Sequence, residues 1–168
     1  MSALLARLRG ARLALMLVAL SSACGYSSGL RVTERHRTVG LEVFKNDSFE
    51  RDLERLLYDE LARALRDYSD AELVDPSKAE VVVRGTIQTY HRRSGIRSTD
   101  NQLLETGVYI QVAANLHERG SAADAPPVSA HCWVGFVTGD AENERTARDR
   151  ALRHIAEEVV LDLFTPVN

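Results

Sequence analysis

Five histidines (His36, His91, His117, His131, His154) and two cysteines (Cys24, Cys132) are the residues best suited to metal binding or nucleophilic attack. Their spacing supports neither. No two histidines lie three or four residues apart, and neither H-E-x-x-H nor C-x-x-C occurs, so a zinc ion would find no local ligand pair. Cys132 stands between His131 and Trp133 in what reads as a strand. Adjacent strand residues point to opposite faces, so His131 is badly placed to act as its base. Cys132 reads instead as a small buried hydrophobe. No Gly-rich phosphate loop follows a strand, and there is no G-x-S-x-G elbow. The expectation is a protein that is not an enzyme, with no catalytic residues, no metal and no cofactor. One charged group stands out: His91-Arg92-Arg93 with Arg97, in a segment that reads as a polar loop. It is either a solvated loop or an anion site, in which Arg92, Arg93 and Arg97 supply charge-assisted donors to phosphate or acidic sugar groups. Nucleic acid is excluded as a partner, because 21 Lys and Arg against 24 Asp and Glu leave a net charge of −3.

That charge is unevenly distributed. Arg7, Arg9 and Arg12 precede any acid, and the first acidic residue is Glu34. An apolar run, Leu13 to Leu20, follows the arginines, then Ser21-Ser22-Ala23 and Cys24. A basic start, a short apolar run and a small-residue cleavage zone describe a secretory signal peptide, and the run is well short of the ~20 residues of a spanning helix. Leu20-Ser21-Ser22-Ala23-Cys24 resembles the lipobox of bacterial lipoproteins, with Leu one position further from the cysteine than usual. The resemblance implies that Cys24 becomes a lipidated N-terminus. Ordinary cleavage near Ala23 is the alternative. More than one acyl chain gives stable membrane anchoring. Gly25, rather than Asp, after the cysteine favours the outer membrane. The expected organisation is a signal peptide over 1–23, a lipidated tether over 24–37 and one domain over 38–168. Cleavage before Cys24 removes three arginines and no acid, so the exported chain is the more acidic form.

The elements of that domain follow from periodicity. Val39, Leu41 and Val43 alternate, which predicts a strand over 38–44. Asp47 and Glu50 have capping-box spacing. Phe49, Leu53, Leu56, Leu57, Leu61, Leu65 and Tyr68 then form a helical stripe. Strands are predicted over 79–90, around 108–116 and over 128–137. Gly85 inside the first of these marks a bulge or a close packing contact. Gly120 to Pro127 reads as a loop. A second helix opens with acids at Asp140, Glu142 and Glu144 and carries the stripe Ala147, Ala151, Leu152, Ile155, Val159, Leu163 and Phe164. The order β-α-β-β-β-α predicts an α+β fold with two amphipathic helices packed on one face of a four-stranded mixed sheet. The other face is expected to carry Glu42, Arg84, Gln88, Gln111 and Asn115, together with Tyr90, Tyr109 and Trp133.

Several stretches resemble one family. Cys24-Gly25-Tyr26-Ser27 is similar to the mature start of the LptE lipopolysaccharide-assembly lipoproteins. The run Val39 to Glu54 resembles that family's first strand and helix start. Lys78 to Ile87 resembles its second strand, with Glu80 in place of the usual Asp. The resemblance implies an outer-membrane lipoprotein that plugs and helps assemble the large β-barrel LptD and assists lipopolysaccharide transport, without covalent chemistry. Its partners would be an LptD-like barrel, lipopolysaccharide and the outer membrane through the lipid on Cys24. Arg92, Arg93 and Arg97 are the lipopolysaccharide contacts to test. The competing reading is a generic outer-membrane adaptor lipoprotein, for instance a regulator of a peptidoglycan synthase.

Overall fold

A computed structural model describes residues 37–95, 99–100, 105–137 and 141–165. Two helices cover one face of a mixed sheet, as the two apolar stripes require. The elements are β1 (Thr38–Leu41), β2 (Lys45–Asn46), α1 (Leu53–Tyr68), β3 (Glu72–Val74), β4 (Val81–Ser94), β5 (Glu105–Glu118), β6 (Val128–Val137) and α2 (Ala141–Phe164). The sheet order is β3-β1-β4-β5-β6, with β2 also pairing β4. The expected four strands are therefore corrected to six. One extra strand, β3, forms directly after α1 and pairs parallel to β1. The other arises because the first strand is broken in two.

That break has a physical cause. Leu41 pairs with Val83 and Lys45 with Thr86, so four steps on the first strand span three on β4. The extra residue reverses the side-chain alternation. Val39, Leu41 and Phe44 are buried, while Val43, expected to point inward, is exposed. Phe44 can enter the core because Gly85 lies opposite it on β4. A Cβ at Gly85 would come within 2.6 Å of the Phe44 ring and 2.2 Å of the Ala113 carbonyl oxygen. Gly85 thus marks a close packing contact.

The bulge in β4 comes two steps later. Ile87 pairs with Val112 and Thr89 with Gln111, leaving Gln88 without an opposite residue. Beyond it, the faces of β4 exchange. Tyr90, expected on the open face, pairs with buried Ile110 and packs against the core under the helices. β4 then continues through His91, Arg92 and Arg93 to Ser94, so the predicted loop over 91–98 begins as strand.

The core lies between the layers. Leu53, Leu57 and Leu61 of α1 and Leu152, Ile155 and Val159 of α2 meet Val83, Ile87, Ile110 and Val112 of the sheet, all at most 1% exposed. At roughly 1.5–3 kcal/mol for burying each such side chain, this layer is the main source of stability. β6 spans Val128–Val137, the bounds that the alternation predicts, and Cys132, Val134 and Phe136 pack toward the core.

The start of α1 departs from its prediction. The helix begins at Leu53, and Phe49 is fully exposed. Asp52 is the N-cap, with φ at +64° and no side-chain cap bond. The Asp47–Glu50 capping box does not form the cap. Asn46 organises the approach instead: its side-chain amide donates to the Glu50 carbonyl and to Glu54, each at 2.8 Å, and its oxygen accepts from the Ser48 N–H. The Asn46 bond helps hold the Glu54 carboxyl below its usual range, after the larger effect of a backbone hydrogen bond.

Candidate functional site

The sheet face away from the helices carries the groups best placed to meet a partner. Strand alternation puts Arg84 and Thr86 of β4, Tyr109, Gln111, Asn115 and His117 of β5, and His131 and Trp133 of β6 on it. They fall into two groups at opposite ends of the strands.

The first is an aromatic row. The rings of His91 and Tyr109 are 5.0 Å apart, and those of Tyr109 and His131 are 6.1 Å apart. Trp133 pairs with Tyr109 across the ladder and is 53% exposed. Its indole lies close over Gly107: a Cβ there would come within 2.5 Å of Trp133 Nε1. Glycine in a strand interior weakens the strand, so its use beneath a tryptophan is explained by this close approach. The indole covers backbone on one side and leaves apolar area in solvent, an arrangement common at interfaces.

The second group is a polar knot centred on Asp124, in the loop after β5. Arg84 donates to Asp124 Oδ1, which also lies 2.8 Å from His117 Nδ1, and Asn115 donates to Oδ2 at 2.8 Å. Arg84 and His117 are themselves 3.1 Å apart. The bond from Arg84, then that from His117, holds the Asp124 carboxyl below the usual carboxylate range. A carboxyl with a lowered folded pKa contributes stability above its unfolded pKa and loses it as pH falls through the folded value. The knot therefore weakens in acid. Beside it opens a cleft of about 360 Å³ lined by Glu42, Lys45, Arg84, Thr86 and Asp124, among others. The sequence reading missed Asp124 and His117. The available signal was that Asp124 is the one charged residue between Gly120 and Pro127.

Of the three predicted anion-site arginines, only Arg92 has a described side chain. Arg92 lies beyond the bulge, on the helix side. Its Nε donates to Glu144 Oε1 of α2 at 2.6 Å, a short charge-assisted bond. Arg93 is placed by its backbone opposite Gly107. Arg97 lies outside the described residues, as do Cys24, the predicted signal peptide over 1–23 and the predicted tether up to residue 36. Among the described residues, no cluster of three or more His, Cys, Asp or Glu side chains is arranged to hold a metal ion. No described helix is long and apolar enough to cross a membrane. Burial, and secondarily the charge of Glu158, raises the Cys132 thiol above its ordinary pKa, which disfavours the nucleophilic thiolate.

A family model described as lipopolysaccharide-assembly, LptE, matches residues 37–163, which takes in every element of the two layers but for the last residue of α2. The chain belongs to the LptE family. It is accordingly a lipopolysaccharide-assembly lipoprotein associated with the outer membrane. No curated protein matches it. Solved structures share the fold at low identity. A subunit of the PelC dodecamer from Paraburkholderia phytofirmans is 14% identical with a TM-score of 0.55, covering 80% of this chain and 93% of that one. Protein XCC0632 from Xanthomonas campestris is 11% identical with a TM-score of 0.59, covering 81% and 86%. A minor lipoprotein from Acinetobacter baumannii is 17% identical with a TM-score of 0.52, covering 73% and 88%.

In this LptE-family chain the β4 bulge also changes the chemistry of Tyr90. Burial first, then the charges of Glu144 and Glu50, push its phenol up to about 12, against opposing effects of Arg148 and Arg92. A raised folded pKa means that the contribution to stability is complete below the unfolded value of about 10 and is lost as pH rises toward the folded one. The difference in phenolate absorbance between the wild type and Tyr90→Phe is expected to titrate near pH 12. A midpoint at the ordinary phenol value would place Tyr90 back on the open face.

Proposed function

We propose that this LptE-family chain plugs and helps assemble an LptD-like outer-membrane β-barrel, and so assists lipopolysaccharide transport without catalysing a covalent step or using a cofactor. The family match over residues 37–163 carries this reading. The fold is compatible with it. Both helices spend their apolar faces on the sheet, while the opposite sheet face presents Trp133, Tyr109 and a polar knot. A body that fills a wet barrel lumen needs polar side chains that water can reach, with a few aromatic contacts to fix its seat. The lipid on Cys24 would hold the chain at the membrane from which the barrel is built. Lipopolysaccharide would be met as an anionic glycolipid by basic groups. Arg93 and Arg97 remain candidates for that contact, while Arg92 would first have to leave Glu144.

The test is affinity purification of the lipidated chain from its own outer membrane. An LptD-like barrel is the expected co-purifying protein. Recovery of peptidoglycan synthases without such a barrel would favour the adaptor reading and overturn this one.

A further inference from the structure

The polar knot has the donor set of an anion site that is already filled. Three side chains from two strands, Arg84, Asn115 and His117, converge on the two oxygens of one carboxylate. That carboxylate comes from a loop whose residues, Arg119 to Pro127, are all exposed. Arg119 ties the start of the loop to the chain before β4, through bonds to the Ser77, Ala79 and Glu80 carbonyls. Beyond Arg119, few contacts hold the loop besides this one. Ala125 donates its N–H to the Leu116 carbonyl at 2.9 Å, and Ser121 donates to the Glu118 carbonyl at 3.0 Å. The donors belong to an evenly paired stretch of β4 and β5, Val82 to Ile87 against Val112 to His117, so their backbone stays in place whether or not the loop does. The cleft beside them is within the size range of small-molecule sites, roughly 300–1,000 Å³.

Charge favours exchange. With Asp124 in place, the cleft wall carries Lys45 and Arg84 against Glu42 and Asp124, and is neutral. When the loop lifts, Lys45 and Arg84 face Glu42 alone, so the open cleft has a net positive charge. An arginine fork beside an amide donor suits a tetrahedral oxyanion. Because the pair is partly exposed, water and salt weaken it, and displacing the carboxylate is cheap.

We propose that Arg84, Asn115 and His117, with Lys45 across the cleft, form a binding site for a phosphate group, and that Asp124 occupies this site until such a ligand displaces it. The site stands apart from the barrel reading, and the two can fail separately. A ligand that opens the loop would uncover the cleft beside β2, so binding and loop position are linked.

The experiment uses the full chain in detergent micelles, titrated with inorganic phosphate or with phosphatidic acid mixed into the micelles, and reads the Arg84 guanidinium signal by NMR. Asp124→Ala removes the internal competitor. If the site is open for a tenth of the time in the wild type, the variant binds phosphate about tenfold more tightly. Asp124→Asn keeps the side chain's size without its charge, and is expected to show a smaller gain in the same direction. Adding Arg84→Ala to Asp124→Ala should abolish the gain, read from the Asn115 side-chain amide. A gain with inorganic phosphate alone assigns free phosphate as the ligand; a gain with phosphatidic acid as well assigns a lipid headgroup. No gain in either aspartate variant, or a gain that survives loss of Arg84, overturns the proposal.

Discussion

Gly85→Ala is expected to lower the urea midpoint of unfolding strongly, and Gly85→Val to prevent cooperative folding altogether. Gly85 sits mid-strand in β4, where a side chain would ordinarily be an advantage. Here, however, the space of a Cβ is already taken: the Ala113 carbonyl oxygen would lie 2.2 Å away, the Phe44 ring 2.6 Å and the Ala114 Cα 3.0 Å. Two of these neighbours are backbone of β5, fixed by the antiparallel ladder, and cannot rotate away as a side chain could. The remaining escape is to expel Phe44, which is 3% exposed. Overpacking costs of about 1–3 kcal/mol are ordinary, and a backbone clash belongs at the top of that range. Valine adds two branched methyls to the same space, with nowhere to put them. A double variant tests the mechanism. Phe44→Ala vacates part of the space, so Gly85→Ala should cost less in that background than in the wild type. An unchanged midpoint for Gly85→Ala alone would show that β1, β2 and β4 do not meet in this register.

How far the sequence could be read depended on whether the side-chain period ran unbroken. β6 alternates from Val128 to Val137 without an inserted residue, and its bounds and inward faces were legible. The stripe of α2 was legible for the same reason. Two inserted residues defeated the pattern elsewhere. The extra residue between Leu41 and Lys45 turned Val43 out and Phe44 in. Gln88 turned Tyr90 and Arg92 toward the helices. A bulge shifts every later residue on its strand, so one unreadable position relocated a candidate ligand as well as a tyrosine. The polar knot was hidden for another reason. Arg84, Asn115, His117 and Asp124 are separated by up to 40 positions and share no local period. The β4–β5 pairing brings Arg84 opposite Asn115, and the loop then adds Asp124.

Phe49 and Leu53 separate the helical stripe read from sequence from the helix that forms. Both belong to the periodic run, four positions apart, and a helix starting at Phe49 would bury them on one face. In the structure the chain instead passes through Asp52 at φ +64°, a left-handed turn that no helix interior contains. Asn46 holds the preceding residues through Glu50 and Ser48. Phe49 is thereby turned fully into solvent, while Leu53 is 0% exposed beneath the first turn of α1. The two alanine substitutions are therefore expected to differ sharply. Leu53→Ala loses buried methyl groups and leaves a cavity, for about 2–5 kcal/mol. Phe49→Ala removes a ring that touches mostly water, and should stay within about 0.5 kcal/mol. Urea unfolding of each variant gives both numbers, provided the slope with denaturant is unchanged. Equal losses would mean that the helix starts a turn earlier and that Asp52 is helical. The expected inequality leaves an apolar ring exposed at no benefit to the isolated fold, at the end of β2 where α1 begins.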